Sequence, residues 1–264
     1  MRTLLSIAAV VLGLGCAVAP VRHADAQATN PAATPVSRME NPGWRERFEQ
    51  KATALRSGHF DLVFYGDSIV GRWERQTAEP TTDYSRLWNR FYGDRRAINL
   101  GFGGDSTDNL LWRVQNGEAD GIMPRVAIIM IGFNNLGAAA WSAENTADAI
   151  AAIVREIEIR SPTTRILVLG ILPSGVSDAI EAKSEAVNAG LRTRFSADKS
   201  VRFLDIGPVF LKNGQLRRDL FVESVNSPLG PSIHPTAAGQ ELMSEAIEPT
   251  LAELLGDRNH LTTP

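Results

Sequence analysis

Five short apolar runs set the strongest limit on what this chain can fold into: LVFY at 62–65, AINL at 97–100, VAIIMI at 126–131, ILVLGIL at 166–172 and VRFLDI at 201–206. None alternates apolar with polar residues, so each suits a strand covered on both faces. Segments with helical spacing separate them. One carries Ile150, Ile153, Val154 and Ile157 on a single stripe, and a later one carries Leu242, Met243, Ala246, Ile247, Leu251 and Leu254. Strands interleaved with helices predict an α/β fold, a three-layer α/β/α sandwich around a five-stranded parallel sheet.

The two ends of the chain read differently. Arg2, an apolar run over 4–19 and the small residues Ala24 and Ala26 follow the order of a cleavable secretory signal, which assigns 1–26 to a signal peptide and the product to a secreted or periplasmic location. The run is shorter than the ~20 residues of a membrane span, so stable membrane insertion is not expected. A lipoprotein reading centred on Cys16 meets Gly13 where a lipobox has leucine. Cleavage after Ala26 would remove Cys16, the one cysteine, and with it disulfide and thiol chemistry. Residues 27–42, QATNPAATPVSRMENP, read as a solvated linker, 43–256 as one domain and 257–264 as a tail. The formal net charge is −3, and Lys and Arg are dispersed, which argues against a nucleic-acid partner. Oligomeric state is left open.

In a parallel sheet the ligand site lies beyond the carboxyl ends of the strands. After the first run comes GDSIV, after the second GFGGDST, after the third GFNN and after the fourth PSG. Ser68, at a strand-to-helix turn, is either a nucleophile or a helix N-cap. Gly103-Gly104 would let a backbone N–H approach a ligand closely, or simply form a tight turn. Asn134 offers an amide that would serve an oxyanion or cap its own loop. Each plain reading is sound singly; their coincidence at one sheet edge favours a catalytic site. A serine nucleophile needs a base. Beyond the signal, the histidines are His59, before the first strand, His260, in the tail, and His234, which remains by elimination.

These blocks resemble the SGNH (GDSL) hydrolase superfamily over most of the chain, from about Asp61 to Leu255. Within it, DLVFYGDSIV, INLGFGGDST, LLWRVQNGE and IGFNN look most like the catalytic subunits of intracellular platelet-activating-factor acetylhydrolase and their bacterial relatives. The resemblance implies a flavodoxin-like sheet of order 2-1-3-4-5. It also implies Ser68 as nucleophile, oxyanion donors from the Ser68 N–H, Gly104 and Asn134, His234 as base, and no metal or organic cofactor.

One place departs from the pattern. The superfamily's acid is an aspartate three residues before the histidine, and here Pro231 stands there. A main-chain oxygen of Pro231, Gly230 or Leu229 facing His234 Nδ1 is the expected substitute, giving a Ser68–His234 dyad. The alternative is a carboxylate from Asp219 or Glu223, which the prolines and glycine between Ser224 and Pro231 would have to deliver by a fold-back. The functional expectation is an exported serine esterase acting on a short-acyl ester, acetyl above all, of a small molecule or glycan. The alternatives are an acyltransferase to a sugar hydroxyl and an inactive glycan- or lipid-binding module that has lost its acid.

Overall fold

A computed structural model describes residues 30–223 and 231–261; the expected signal peptide, Leu229 and Gly230 lie outside them. The five runs form β1 (Leu62–Gly66), β2 (Ala97–Gly101), β3 (Val126–Met130), β4 (Arg165–Leu169) and β5 (Val201–Leu204). They pair in parallel in the order β2-β1-β3-β4-β5, with Gly66 of β1 opposite both Gly101 of β2 and Met130 of β3. That register brings the turns after the three strands to one edge.

Successive side chains of a strand face opposite sides. Val63 and Tyr65 of β1 join Ala127 and Ile129 of β3 in one core, under α4 (Thr107–Arg113), α6 (Ala143–Arg160) and α7 (Asp178–Arg194). Leu62 and Phe64 join Val126 and Ile128 in the other, under α3 (Ser85–Tyr92) and the C-terminal helix α8 (Ala237–Leu255). All five β1 residues are buried, which is why the run carries no polar alternation. Two short helices, α2 (Ser68–Gly71) and α5 (Phe133–Leu136), follow β1 and β3 directly, and β6 (Leu211–Lys212) with β7 (Gln215–Leu216) makes a small hairpin near the last crossover.

Both described ends are bound to the fold, against the expectation of linker and tail. Asn41 caps α1 (Pro42–Ser57), and α1 places Trp44 and Phe48 in a cluster with Phe102. Before it, Ala32 is fully buried, and its carbonyl accepts from Thr107 Oγ1 at 2.8 Å. Val36 N–H donates to Asp108 O at 3.2 Å, and Asn109 Nδ2 to Val36 O at 3.1 Å. At the other end Asp257 pairs with Arg95 at 2.9 Å, and His260, its side chain 6 % exposed, meets Phe91 O at 3.1 Å. A proline-rich composition signals the lack of a regular ladder, but side-chain bonds to main-chain groups hold such a segment just as well.

Candidate active site

Ser68 is the first residue of α2, and the cap of that helix is its neighbour: Asp67 Oδ1 accepts from Ile69 N–H at 2.9 Å. The Ser68 hydroxyl, released from capping, lies 2.9 Å from His234 Nε2. Its own N–H, at the start of a helix, has no intrahelical acceptor and is free to serve a ligand. The turn is tight. A Cβ at Gly66 would stand 2.3 Å from Met130 O, and one at Gly101 2.2 Å from Gly71 N. Asn99, fully buried, donates to Val70 O at 2.7 Å and accepts from Gly101 N–H at 2.8 Å, so β2 holds the end of α2.

His234 stands between Ser232, fully buried, and the buried Pro235. Its segment runs antiparallel to 220–222: Phe221 bridges Pro235, Val222 N–H donates to His234 O at 2.8 Å and Thr236 N–H to Leu220 O at 2.8 Å. Tyr84, fully buried, adds a hydroxyl donor to Pro235 O at 2.8 Å. The pairing carries the chain one residue further to Glu223, whose Oε1 is hydrogen-bonded to His234 Nδ1. Glu223 Oε2 accepts from the His234 N–H at 3.0 Å and the Ile233 N–H at 3.3 Å.

The expected dyad with a main-chain oxygen is therefore corrected: a carboxylate faces Nδ1, the alternative that the sequence reading disfavoured, and the antiparallel pairing of 220–222 with 234–236 brings it there. Pro231 is exposed. The sequence signal was present in Glu223, one of two acids in the preceding segment, but the spacing to His234 is eleven residues where the superfamily has three.

Electrostatics suit a base. Burial lowers the His234 pKa below its ordinary value; the Glu223 hydrogen bond opposes that, and the field of Arg72 and Arg75 adds to it. Burial alone would raise the Glu223 carboxyl, but hydrogen bonds from the His234 main chain and ring hold it below its ordinary range. At neutral pH the arrangement is a neutral imidazole against a carboxylate.

The second loop carries Gly104 at φ +75°, in the left-handed region that favours glycine, with Gly103 and Gly104 exposed. Asn134 Nδ2 donates to Asp105 O at 2.8 Å, which ties the third loop to the second and leaves the amide's other hydrogen uncommitted. Behind the loop lies a buried charge cluster that sequence reasoning missed. Fully buried Asp105 accepts from Trp44 Nε1 at 2.7 Å, Arg38 Nη1 at 2.9 Å and Arg113 Nε at 2.8 Å. Arg113, also fully buried, donates to Leu100 O at 3.1 Å and Gly66 O at 3.2 Å, pairs with Glu118, and lies 4.0 Å from the Phe102 ring centroid. One guanidinium thus joins the ends of β1 and β2 to the loop between β2 and α4. Burial pushes the Glu118 carboxyl up to about 7, against the pull of Arg113.

The other histidines stay apart from Ser68 in the fold: His59 is largely exposed ahead of β1, and His260 is held by Phe91 and Asp94. Among the described residues no group of three or more His, Cys, Asp or Glu side chains is arranged to hold a metal ion, and no helix is long and apolar enough to cross a membrane.

A serine at a strand-to-helix turn, hydrogen-bonded to a histidine that is hydrogen-bonded to a carboxylate, at the carboxyl edge of a parallel sheet, is the constellation of an α/β serine hydrolase. The chain belongs to the GDSL-like lipase/acylhydrolase family, whose model matches residues 64–242, and is a serine ester hydrolase of that family. It is 32% identical over 186 residues to the platelet-activating factor acetylhydrolase IB subunit alpha1 of Bos taurus, covering 69% of this chain and 75% of that protein. Among solved structures, a GDSL-like lipase from Bacteroides thetaiotaomicron superposes with a TM-score of 0.61 at 18% identity, covering 78% of this chain and 97% of that one. A carbohydrate esterase family 3 protein from Talaromyces cellulolyticus does so with a TM-score of 0.54 at 18% identity, covering 76% and 100%. These two likenesses carry the fold, with its 2-1-3-4-5 sheet.

Proposed function

We propose that this hydrolase is exported and cleaves short-acyl carboxylic esters, acetyl esters foremost, through an acyl-enzyme on Ser68. The observation that carries the mechanism is the unbroken hydrogen-bonded series from Ser68 Oγ through His234 to Glu223. His234 Nε2 takes the Ser68 proton as Oγ bonds to the ester carbonyl carbon. The resulting oxyanion accepts from the Ser68 and Gly104 N–H groups and the free hydrogen of Asn134 Nδ2. Collapse breaks the bond to the alcohol oxygen, which leaves with the proton from His234. A water then gives a proton to His234 as it adds to the acyl carbon; the bond to Ser68 Oγ breaks, Oγ takes that proton back from His234, and the carboxylic acid leaves. Glu223 holds the Nδ1–H tautomer and stabilises the imidazolium in both halves.

The short acyl group is supported by the 32%-identical relative, which is named an acetylhydrolase. Pro231, the residue that favoured an inactive binding module, loses that force once Glu223 supplies the carboxylate. Export rests on the pattern of residues 1–26.

The test is hydrolysis of a chain-length series of p-nitrophenyl esters, beside acetylated xylan, by the wild type and Ser68→Ala. Acetate should turn over fastest, and Ser68→Ala should lose activity with its fold intact. A Ser68→Ala protein as active as wild type overturns the mechanism, and a preference for long chains overturns the substrate class. For export, the intact mass of material from the cell envelope or medium should correspond to a chain beginning near Gln27; a full-length mass would refute cleavage.

A further inference from the structure

The segment before α1 reaches the active site through one side chain. Arg38 Nη1 donates to Gly103 O at 3.1 Å and to the fully buried Asp105 Oδ1 at 2.9 Å, so a single guanidinium nitrogen spans the loop from before Gly104 to after it. The guanidinium also covers Gly104 itself: a Cβ built there would meet Arg38 Nη1 at 3.4 Å, Nη2 at 3.7 Å and Cζ at 4.0 Å. Gly104 is held at φ +75°, a conformation that glycine leaves easily when nothing fixes its neighbours.

The segment is anchored independently of Arg38. The buried Ala32, the bond from Thr107 Oγ1 to Ala32 O, and the bonds joining Val36 to Asp108 and Asn109 fix its path along the start of α4. The Arg38 carbonyl accepts from Asn41 N–H at 3.0 Å, immediately before α1. The side chain is only 27% exposed, so both ends of the interaction are pre-ordered and little rotamer entropy is left to lose.

We propose that Arg38 is a positioning residue of the oxyanion hole, and that the stretch from Ala32 to Asn41 is by this contact a working part of the active site. The inference rests on the serine-esterase reading above. Arg38 acts through the Gly103–Asp105 loop: it fixes the direction of the Gly104 N–H and, through Asp105, the main-chain oxygen that Asn134 Nδ2 uses as its anchor. Both donors matter chiefly when charge develops on the substrate oxygen, so the loss should fall on kcat and spare ground-state binding.

The experiment compares wild type, Ser68→Ala, Arg38→Ala and Arg38→Lys on p-nitrophenyl acetate, with melting curves for each. Arg38→Ala should lower kcat by about 10- to 100-fold, the scale of a small misplacement of catalytic groups, with KM within about two-fold. Arg38→Lys, which keeps the charge but lacks the planar fork, should recover only part of the loss. Millimolar guanidinium chloride, below denaturing levels, should restore Arg38→Ala activity several-fold and leave wild type unchanged. If Arg38→Ala melts early, the guanidinium and lysine arms, read below its melting temperature, still decide: restored kcat supports positioning, and no restoration by either overturns it. A kcat within two-fold of wild type also overturns it. If Ser68→Ala is as active as wild type, the esterase reading fails first; if Ser68→Ala is dead and Arg38→Ala normal, only this inference fails.

Discussion

Glu223 accepts from one ring nitrogen and two main-chain N–H groups of the segment it serves, so its position is set by the histidine loop itself. Glu223→Gln keeps the shape but presents an amide that no longer requires the Nδ1–H tautomer. By the cost of removing a triad acid in serine proteases, kcat should fall by about 10³- to 10⁴-fold. The pH profile gives a second signature. Glu223 holds the His234 pKa up against burial and the fields of Arg72 and Arg75, so its loss should move the acid limb of kcat/KM to lower pH. Wild type should already show that limb below the ordinary histidine value. A kcat within a few-fold of wild type, or a limb moved to higher pH, would show that Glu223 neither orients nor charges the ring. By the same logic Pro231→Asp should bring no gain, because the Nδ1 site is taken.

At the scale of elements, the sheet was legible because burial on both faces leaves a mark in composition: five runs without alternation became five strands in the expected order. Ser68, Gly104 and Asn134 were legible because each lies in a turn that follows a strand end, and His234 because elimination left no other histidine. What was not legible depends on pairings between distant segments. The antiparallel contact of Phe221 with Pro235 is one isolated bridge with no periodic pattern, yet it delivers Glu223. Arg113 sits in LLWRVQNGE, a block marked in the sequence by family resemblance alone, and only the fold shows it capping the ends of β1 and β2. Its removal gives an element-scale prediction. Arg113→Met would leave the Asp105 and Glu118 carboxylates, both fully buried, without their shared cation. Breaking a buried pair from one side costs about 3–5 kcal/mol, and Asp105 would keep Arg38 as its cation beside the neutral donor Trp44 Nε1. Urea unfolding should show a loss of that size, with kcat reduced as well; a loss under about 1 kcal/mol would mean that the cluster relaxes and contributes little.

For the whole molecule, the site's requirements oppose those of stability along the pH axis. Burial pushes the Asp67 carboxyl, beside Ser68, from an ordinary 3.8 up to about 7, and Glu118 from 4.5 up to about 7. A carboxyl whose folded pKa is raised binds its proton more tightly in the native state, so its stabilising contribution is complete below the unfolded value and is lost as pH rises through about 7. His234 works the other way: its folded pKa is depressed, so its contribution is present above the ordinary histidine value and lost below it. Two strongly raised carboxyls outweigh one lowered imidazole, which places maximum stability on the weakly acidic side, while a neutral His234 base favours neutral pH and above. Melting temperature should therefore be higher at pH 5.5 than at pH 8. Asp67→Asn keeps an oxygen acceptor for the Ile69 N–H and removes one titrating group, so the drop between the two pH values should shrink in that variant, most of the gain appearing at pH 8. Scanning calorimetry of wild type and Asp67→Asn at both pH values measures it. An equal drop in the two proteins would show that Asp67 is ionised in the native state throughout, held charged by the N-terminus of α2 more strongly than burial opposes it.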